Sequence, residues 1–158
     1  MQRILQLLCR IKRYKIILGM VYHILILNKM GLIISSMLSA NEDETFAFAI
    51  TLDDKVIGSI GVFRQQNIHR QTAEMGYYIA EEYWGKGIMT DAVKQICEYV
   101  FENSDILRIY AEPFAYNTGS CRVLEKAGFQ YEGTLRNNAV KNGKVIDMKM
   151  YSLLREEQ

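Results

Sequence analysis

The alternation of apolar and polar positions becomes regular after residue 44, where it predicts three strands. Phe46, Phe48 and Ile50 alternate with smaller or polar residues, and a period of two is typical of a strand. Two aspartates follow this segment as a turn signal, so the next apolar stretch completes a hairpin. The predicted elements are strands at 45–52, 55–64 and 72–80, with a polar loop at 65–71.

Helical periods replace the alternation in two later segments. Over 89–102 apolar residues recur at spacings of three, four and one, which is typical of an amphipathic helix. Asn117 or Thr118 is a suitable N-cap for a second helix, and Gly128 suits a left-handed C-cap. The predicted elements are helices at 89–102 and 118–127, and strands at 107–112, 129–139 and 144–154.

Turn residues complete the element order. Pro113 ends the fourth strand because proline cannot donate to a strand ladder, and Asn142-Gly143 is a strong hairpin signal between the last two strands. The order from residue 45 is β-β-β-α-β-α-β-β, which predicts an α/β fold with mixed strand directions. A length of 158 residues fits one domain at about 150 residues per domain.

The first forty residues follow no clear period. The apolar stretch 16–27 comes after a basic run and resembles the first two regions of a signal peptide, but His23 interrupts it. Its 12 residues are too few to cross about 30 Å of hydrocarbon as a helix. We interpret it as a buried strand or helix, with targeting or a membrane-surface helix as alternatives. We predict helices at 2–15 and 30–40 and an extended segment within 16–27.

Charge and cysteine usage exclude several classes of protein. The net charge of +1 argues against a dedicated nucleic-acid binder. It is uneven, because residues 1–40 carry six basic and no acidic residues, which leaves 13 basic and 18 acidic residues after them. Three cysteines without a CxxC pair predict neither a disulfide framework nor a zinc site. A reducing cytoplasm is therefore the expected compartment, and no metal is expected.

The strongest chemical signal is the passage from the third strand through Gly85-Lys86-Gly87 into a helix. Glycines let the backbone approach a ligand closely, and the unpaired N–H groups of a helix N-terminus attract phosphate. Lys86 adds a positive charge, so the segment suits a ligand that carries a pyrophosphate. It matches neither the Walker loop nor the dinucleotide fingerprint, and a purely structural turn is an equal alternative.

Two motifs resemble one protein family. The segment 83–92 (YWGKGIMTDA) is similar to the acetyl-CoA pyrophosphate loop of the GCN5-related N-acetyltransferases (GNAT superfamily), in the branch that contains RimJ and RimL. The segment 117–129 resembles that branch's pattern N-x-x-S-x-x-[VL]-[LM]-E-K-x-G-F. The resemblance covers 34–156, within a single acetyltransferase domain at 1–158 that has an atypical arm at 1–33. It implies a mixed, mostly antiparallel central sheet flanked by helices.

The resemblance also implies a site for acetyl-CoA. Glu74 is expected to act as general base on an amine, and Ser120 is expected to supply a proton or hydrogen bond to the departing CoA thiolate. A backbone N–H near a strand bulge around 77–79 would stabilise the thioester oxygen, and Asn117 would bond the pantetheine arm. The expected acetyl-CoA contacts are Tyr77, Tyr78, Ile79, Trp84, Gly85, Lys86, Gly87, Ile88, Met89, Thr90, Asn117 and Ser120.

Simpler interpretations exist for the same residues. Glu74 can be a solvated carboxylate, Asn117 a plain N-cap, and Ser120 a helix first-turn hydroxyl that bonds its own backbone. The chain also departs from the family pattern: Met89 replaces a usual glycine or alanine, where it would crowd the phosphates unless it points away. Leu124 stands where many members carry a tyrosine general acid.

The function that these residues favour is transfer of an acetyl group from acetyl-CoA to a primary amine. The acceptor would be a protein N-terminus, a ribosomal protein or a small amine, with neither nucleic acid nor a membrane as partner. One alternative is a GNAT-fold module that binds CoA or a protein without turnover. Another is a protein tethered to a membrane or ribosome by residues 1–40. The resemblance also implies two N-terminal helices that form a wall on the acceptor side, and residues 1–33 show no such pattern. A homodimer would cover apolar surface that a missing wall exposes.

Overall fold

The computed structural model describes residues 15–18, 45–53 and 55–158, with the backbone alone for 15–18. A strand begins at Lys15, so the helix predicted over 2–15 is wrong at its last residue, and its other residues lie outside the described part. The predicted helix at 30–40 lies outside it as well. The strand's last three residues fall within the extended segment that was expected in 16–27.

The remaining elements follow the predicted order, and each boundary lies within two residues of its prediction. Three single-turn 3-10 helices at Asn67–His69, Glu81–Tyr83 and Arg155–Glu157 were not predicted. The regular elements are β1 Lys15–Leu18, β2 Thr45–Leu52, β3 Lys55–Arg64, β4 Thr72–Ile79, α1 Ile88–Asn103, β5 Arg108–Ala111, α2 Thr118–Lys126, β6 Gln130–Lys141 and β7 Lys144–Leu154.

The strands form one seven-stranded sheet in the order β1-β2-β3-β4-β5-β7-β6. All neighbouring pairs are antiparallel except β4 and β5, which confirms a mixed, mostly antiparallel sheet. The parallel pair is short, since its register runs only from Thr72↔Arg108 to Glu74↔Tyr110. Beyond Glu74, β4 continues to Ile79 with β3 alone as its partner. The sheet therefore opens between β4 and β5, and we name this opening the β4–β5 gap.

Helix α1 covers the sheet with the apolar face that its sequence predicts. All seven of the apolar positions expected over 89–102 are buried, together with Ile88. At the edge of this core, the ring of Tyr99 meets Phe46 and Phe48 edge to face, with centroid distances of 6.1 and 5.5 Å. Burial of this face fixes the rotation of α1, and with it the direction of each side chain in its first turn.

The far wall of the gap is held by an ion-pair network across three strands. Both guanidinium nitrogens of Arg108 on β5 donate to the carboxylate of Glu132 on β6, at 2.7 and 2.5 Å. The hydroxyl of Ser152 on β7 donates to the same carboxylate at 2.7 Å. Arg108 and Ser152 lower the pKa of Glu132 to about 2. The network joins β5 to the β6–β7 hairpin, whereas β4 beyond Glu74 pairs with β3 alone.

Candidate active site

The edge of β4 that faces the gap presents backbone hydrogen-bonding groups. Ala80 N–H donates to the Ile57 carbonyl at 2.8 Å, and peptide groups alternate in direction along a strand. The even-numbered residues of β4 therefore bond to β3, and the odd-numbered ones face the gap. Tyr77 and Ile79 present their N–H groups to the opening, whereas the peptide groups of Tyr78 point towards β3.

The bulge expected around 77–79 is wrong. The register between β3 and β4 runs without a shift from Arg64↔Ala73 to Gly58↔Ile79. The exposed peptide edge comes instead from the early end of the β4–β5 pairing, because β5 is short and only Arg108, Ile109 and Tyr110 pair with β4. The free N–H donors thus arise because β4 and β5 stop pairing, and not because one strand carries the extra residue of a bulge.

Trp84 closes the end of this edge. Its indole N–H donates to the Ile79 carbonyl at 2.9 Å, although 63% of the residue's surface is exposed. The bond ties the loop 80–87 to the last residue of β4. This aromatic residue at the start of the glycine loop thus has a structural role, and its outer face remains open to a ligand.

The glycine loop leads into an uncapped helix. Gly85 and Gly87 adopt φ of 71° and 78°, and no atom lies within 4 Å of a β-carbon built on either residue. The left-handed backbone, rather than lack of space, therefore requires glycine here. Gly87 is the N-cap of α1 and no side chain caps the first turn, which leaves N–H groups available to an anion.

The Met89 side chain points away from this loop. It is only 6% exposed and belongs to the core beside Ile88, so it does not crowd the space in front of the helix N-terminus. Thr90 is half-buried in the same turn, and Lys86 is exposed, with Nζ 5.2 Å from the centre of the Tyr83 ring. The first turn of α1 thus offers backbone groups and lies near one cation, and it also carries one acidic side chain.

The start of α2 is closed by its own residues. Asn117 Oδ1 accepts a hydrogen bond from Ser120 N at 3.1 Å, as an N-cap does. The Ser120 hydroxyl lies 2.8 Å from the Tyr77 hydroxyl. Leu124, one turn further along α2, is fully buried in the core. The second family motif therefore meets β4 at the contact between Ser120 and Tyr77.

Glu74 lies on the other face of the sheet. The side chain is exposed, and the residue is the last of β4 that pairs with β5, where it lies opposite Tyr110. Partial desolvation raises the pKa of Glu74, and the negative charge of Glu112 raises it further. A carboxylate with a raised pKa is a stronger base than a fully solvated one, which suits Glu74 to accept a proton from an amine.

The gap thus separates the predicted residues into two groups. Ser120, Asn117 and the Tyr77 ring lie on the side of the helices, whereas Glu74 and the exposed Tyr78 ring lie on the opposite face. The sequence predicted a role for the backbone of Tyr77 only. The period of two in β4 was the available signal that its side chain faces the helices.

Comparisons with known proteins agree with this architecture. Residues 26–130 match the family described as acetyltransferase (GNAT) domain, which is about two thirds of the chain. The chain is 40% identical over 115 residues to the probable N-acetyltransferase YjcK of Bacillus subtilis, covering 72% of this chain and 64% of the relative. These residues define a GNAT acetyltransferase domain, and the chain belongs to that family.

Its relatives include proteins of the RimJ/RimL type. The putative ribosomal N-acetyltransferase YdaF of Bacillus subtilis is 36% identical over 105 residues, which are 66% of this chain and 57% of the relative. The structure of Mycobacterium smegmatis RimJ in complex with CoA-disulfide matches with a TM-score of 0.67 at 28% identity, covering 72% of this chain and 55% of that one. The chain therefore spans a little under two thirds of the length of the proteins it matches.

Within 15–18, 45–53 and 55–158, no helix is both long and apolar enough to cross a membrane. The same residues hold no group of three or more histidine, cysteine, aspartate or glutamate side chains placed to bind a metal ion.

Proposed function

We propose that this protein transfers an acetyl group from acetyl-CoA to a primary amine. The observation that carries the proposal is the β4–β5 gap, which joins an open peptide edge to a glycine loop and an uncapped helix N-terminus. A flexible thioester with a pyrophosphate at its far end matches this linear arrangement. Membership of the GNAT family supports the same chemistry.

The described residues fit acetyl-CoA. The N–H groups at the start of α1, with Lys86 beside them, would hold the pyrophosphate. The open edge at Tyr77 and Ile79 would bond the amide groups of the pantetheine arm as a neighbouring strand does. Met89 leaves the phosphate position clear because it is buried in the core. CoA in the complex of the RimJ structure supports this assignment.

The two faces of the gap would serve the two halves of the reaction. Glu74 would accept a proton from the incoming ammonium, because an alkylamine of pKa about 10 is almost fully protonated at neutral pH. A β4 N–H facing the gap would stabilise the carbonyl oxygen as the amine nitrogen bonds to its carbon. The C–S electron pair would leave on sulfur, to which Ser120 would donate a hydrogen bond, and the second proton of the amine nitrogen would pass to solvent.

The finer assignments rest on resemblance and on the relatives. An acceptor such as a protein N-terminus, a ribosomal protein or a small amine would approach from the face that carries Glu74. A relative that is a putative ribosomal N-acetyltransferase favours a ribosomal protein among these. A single domain over 1–158, a homodimer and a cytoplasmic location remain predictions of the sequence.

The chain's one tryptophan provides the test of donor binding. Trp84 lies at the mouth of the gap, so titration with acetyl-CoA is expected to change its emission in a saturable way. Release of CoA is then measured in the same sample with a panel of peptides and amines. Saturable binding with amine-dependent release supports the transferase, and absence of binding contradicts it.

A Glu74→Gln variant tests the catalytic assignment. Glutamine keeps the shape of the side chain but cannot accept the ammonium proton, so kcat is expected to fall about 100-fold, within the range of general-base catalysis. The acetyl-CoA titration of Trp84 is expected to stay unchanged. Binding by the original protein without turnover on any amine would favour the non-catalytic CoA-binding module.

A further inference from the structure

A hydrogen-bonded pair of hydroxyls lies on the helix side of the gap. Tyr77 Oη is 2.8 Å from Ser120 Oγ and 3.3 Å from the Ser120 carbonyl oxygen. The tyrosine is half-buried, and its ring packs against the core beneath α2. The Asn117 cap holds the Ser120 backbone, so both partners of the pair are fixed in position.

The direction of this hydrogen bond determines what Ser120 can do. A hydroxyl group has one hydrogen to donate and two lone pairs to accept with. When Tyr77 donates to Ser120 Oγ, the serine keeps its own hydrogen for an acceptor in the gap. When Ser120 donates to Tyr77, the tyrosine hydrogen is directed to the Ser120 carbonyl instead. An anionic acceptor beside Ser120 would select the first arrangement.

We propose that Tyr77 is a positioning residue that turns the Ser120 hydroxyl towards the CoA sulfur and strengthens its hydrogen bond to the thiolate. The inference rests on the proposed function, and it gives the thiolate a polarised hydrogen-bond donor where Leu124 can supply neither a proton nor a hydrogen bond. Hydrogen bonds in a chain polarise one another, so a donor behind Ser120 makes Ser120 the better donor.

The pair stabilises the thiolate without protonating it. Burial raises the pKa of Tyr77 to about 12, whereas an ordinary thiol has a pKa of about 8.5. A proton passed along the pair would leave a tyrosinate, which is disfavoured by more than three pKa units. The C–S electron pair therefore departs on sulfur, both hydroxyls keep their protons, and the thiolate is later protonated by solvent.

Binding of CoA at different pH values tests the pair directly. The ratio of acetyl-CoA to CoA dissociation constants, read from Trp84 emission, is measured at pH 7 and pH 9.5. Acetyl-CoA has no thiol and corrects for other groups that titrate. The original protein is expected to favour CoA about tenfold more at pH 9.5, where the thiolate forms. Tyr77→Phe is expected to reduce that preference to about threefold, and Ser120→Ala is expected to abolish it.

Turnover provides a second readout. In Tyr77→Phe, kcat is expected to fall about tenfold while the KM for acetyl-CoA changes less than twofold. The same substitution in a Ser120→Ala background is expected to have almost no further effect, because Tyr77 acts through the serine. Tyr99→Phe removes a hydroxyl from another half-buried tyrosine in the core and serves as the matched control, with kcat unchanged.

The outcomes separate this inference from the proposed function. A thiolate preference that is absent from the original protein, or unchanged in Tyr77→Phe, overturns the role of Tyr77. Additive effects of the two substitutions on kcat overturn it as well. If the thiolate preference follows the expected order but no amine is acetylated, the pair stands and the transferase proposal fails.

Discussion

The two α-helices of the described region differ in how their N-termini are capped. Helix α1 starts at Gly87 in a left-handed conformation, and no side chain caps its first turn. Helix α2 starts at Asn117, whose side chain accepts a hydrogen bond from Ser120 N. The first helix thus leaves its N-terminal donors for a ligand, and the second uses one of them to fix a side chain beside the gap.

This difference has an energetic consequence. A capping side chain contributes about 1 kcal/mol to stability relative to alanine, which α2 retains, whereas the glycine N-cap of α1 forgoes only a few tenths of a kcal/mol. An anion at the start of α1 would accept hydrogen bonds from the N–H groups of the first turn. Its binding would therefore stabilise the helix in addition to the contacts that the ligand makes elsewhere in the gap. An uncapped helix in a well-packed domain is therefore a functional signal, whereas a capped one is equally consistent with structure alone.

The largest expected effect comes from a negative charge placed at the start of α1. Thr90→Asp puts a carboxylate in the first turn, where it interacts favourably with the helix dipole and unfavourably with a pyrophosphate. We expect acetyl-CoA affinity to fall 10- to 100-fold while the free energy of unfolding rises by about 0.5 kcal/mol. Titration of Trp84 emission and urea denaturation measure the two quantities.

Thr90→Asn is the neutral control for this substitution. Asparagine has the same size as aspartate and offers a similar hydrogen-bonding oxygen, but it carries no charge that would repel phosphate. We expect it to retain acetyl-CoA affinity within about threefold of the original protein, since the repulsion carries most of the effect. Equal losses in the two variants would mean that no anion sits at the start of α1.

The next largest effect is expected from a substitution that removes the cap of α2. Asn117→Ala is expected to lower the free energy of unfolding by about 1 kcal/mol, because Ser120 N loses its acceptor. Asn117→Asp keeps an oxygen in the capping position, so its stability should match that of the original protein. Urea denaturation of the three proteins measures the difference.

The same pair of variants separates the two interpretations of Asn117. If the asparagine is only a cap, Asn117→Asp also retains acetyl-CoA affinity. If its amide bonds the pantetheine arm, the aspartate variant keeps its stability and loses affinity. Equal stability of the alanine variant and the original protein would contradict the cap itself.

Sequence patterns predicted the local features of this comparison well and the long-range ones poorly. Asn117 as a cap, the glycine loop and the buried face of α1 each depend on a few neighbouring residues. The Tyr77–Ser120 contact joins positions 43 residues apart, and no local period places them together. The early end of the β4–β5 pairing depends on where β5 ends, and the bulge that the resemblance implied does not occur.

The smallest expected effect comes from removing the positive charge of Lys86 in the glycine loop. Lys86 is exposed, and its ammonium contacts the Tyr83 ring rather than a carboxylate, so removing it leaves no buried charge unpaired. Lys86→Ala is expected to weaken acetyl-CoA binding about threefold at low ionic strength and hardly at all near 1 M salt, where charges beyond about 3 Å are screened. Lys94→Ala removes the same charge further along the exposed side of α1 and should change affinity less. If both lysine variants lose affinity equally, Lys86 acts only through net charge, and the N–H groups of the uncapped helix would hold the pyrophosphate without it.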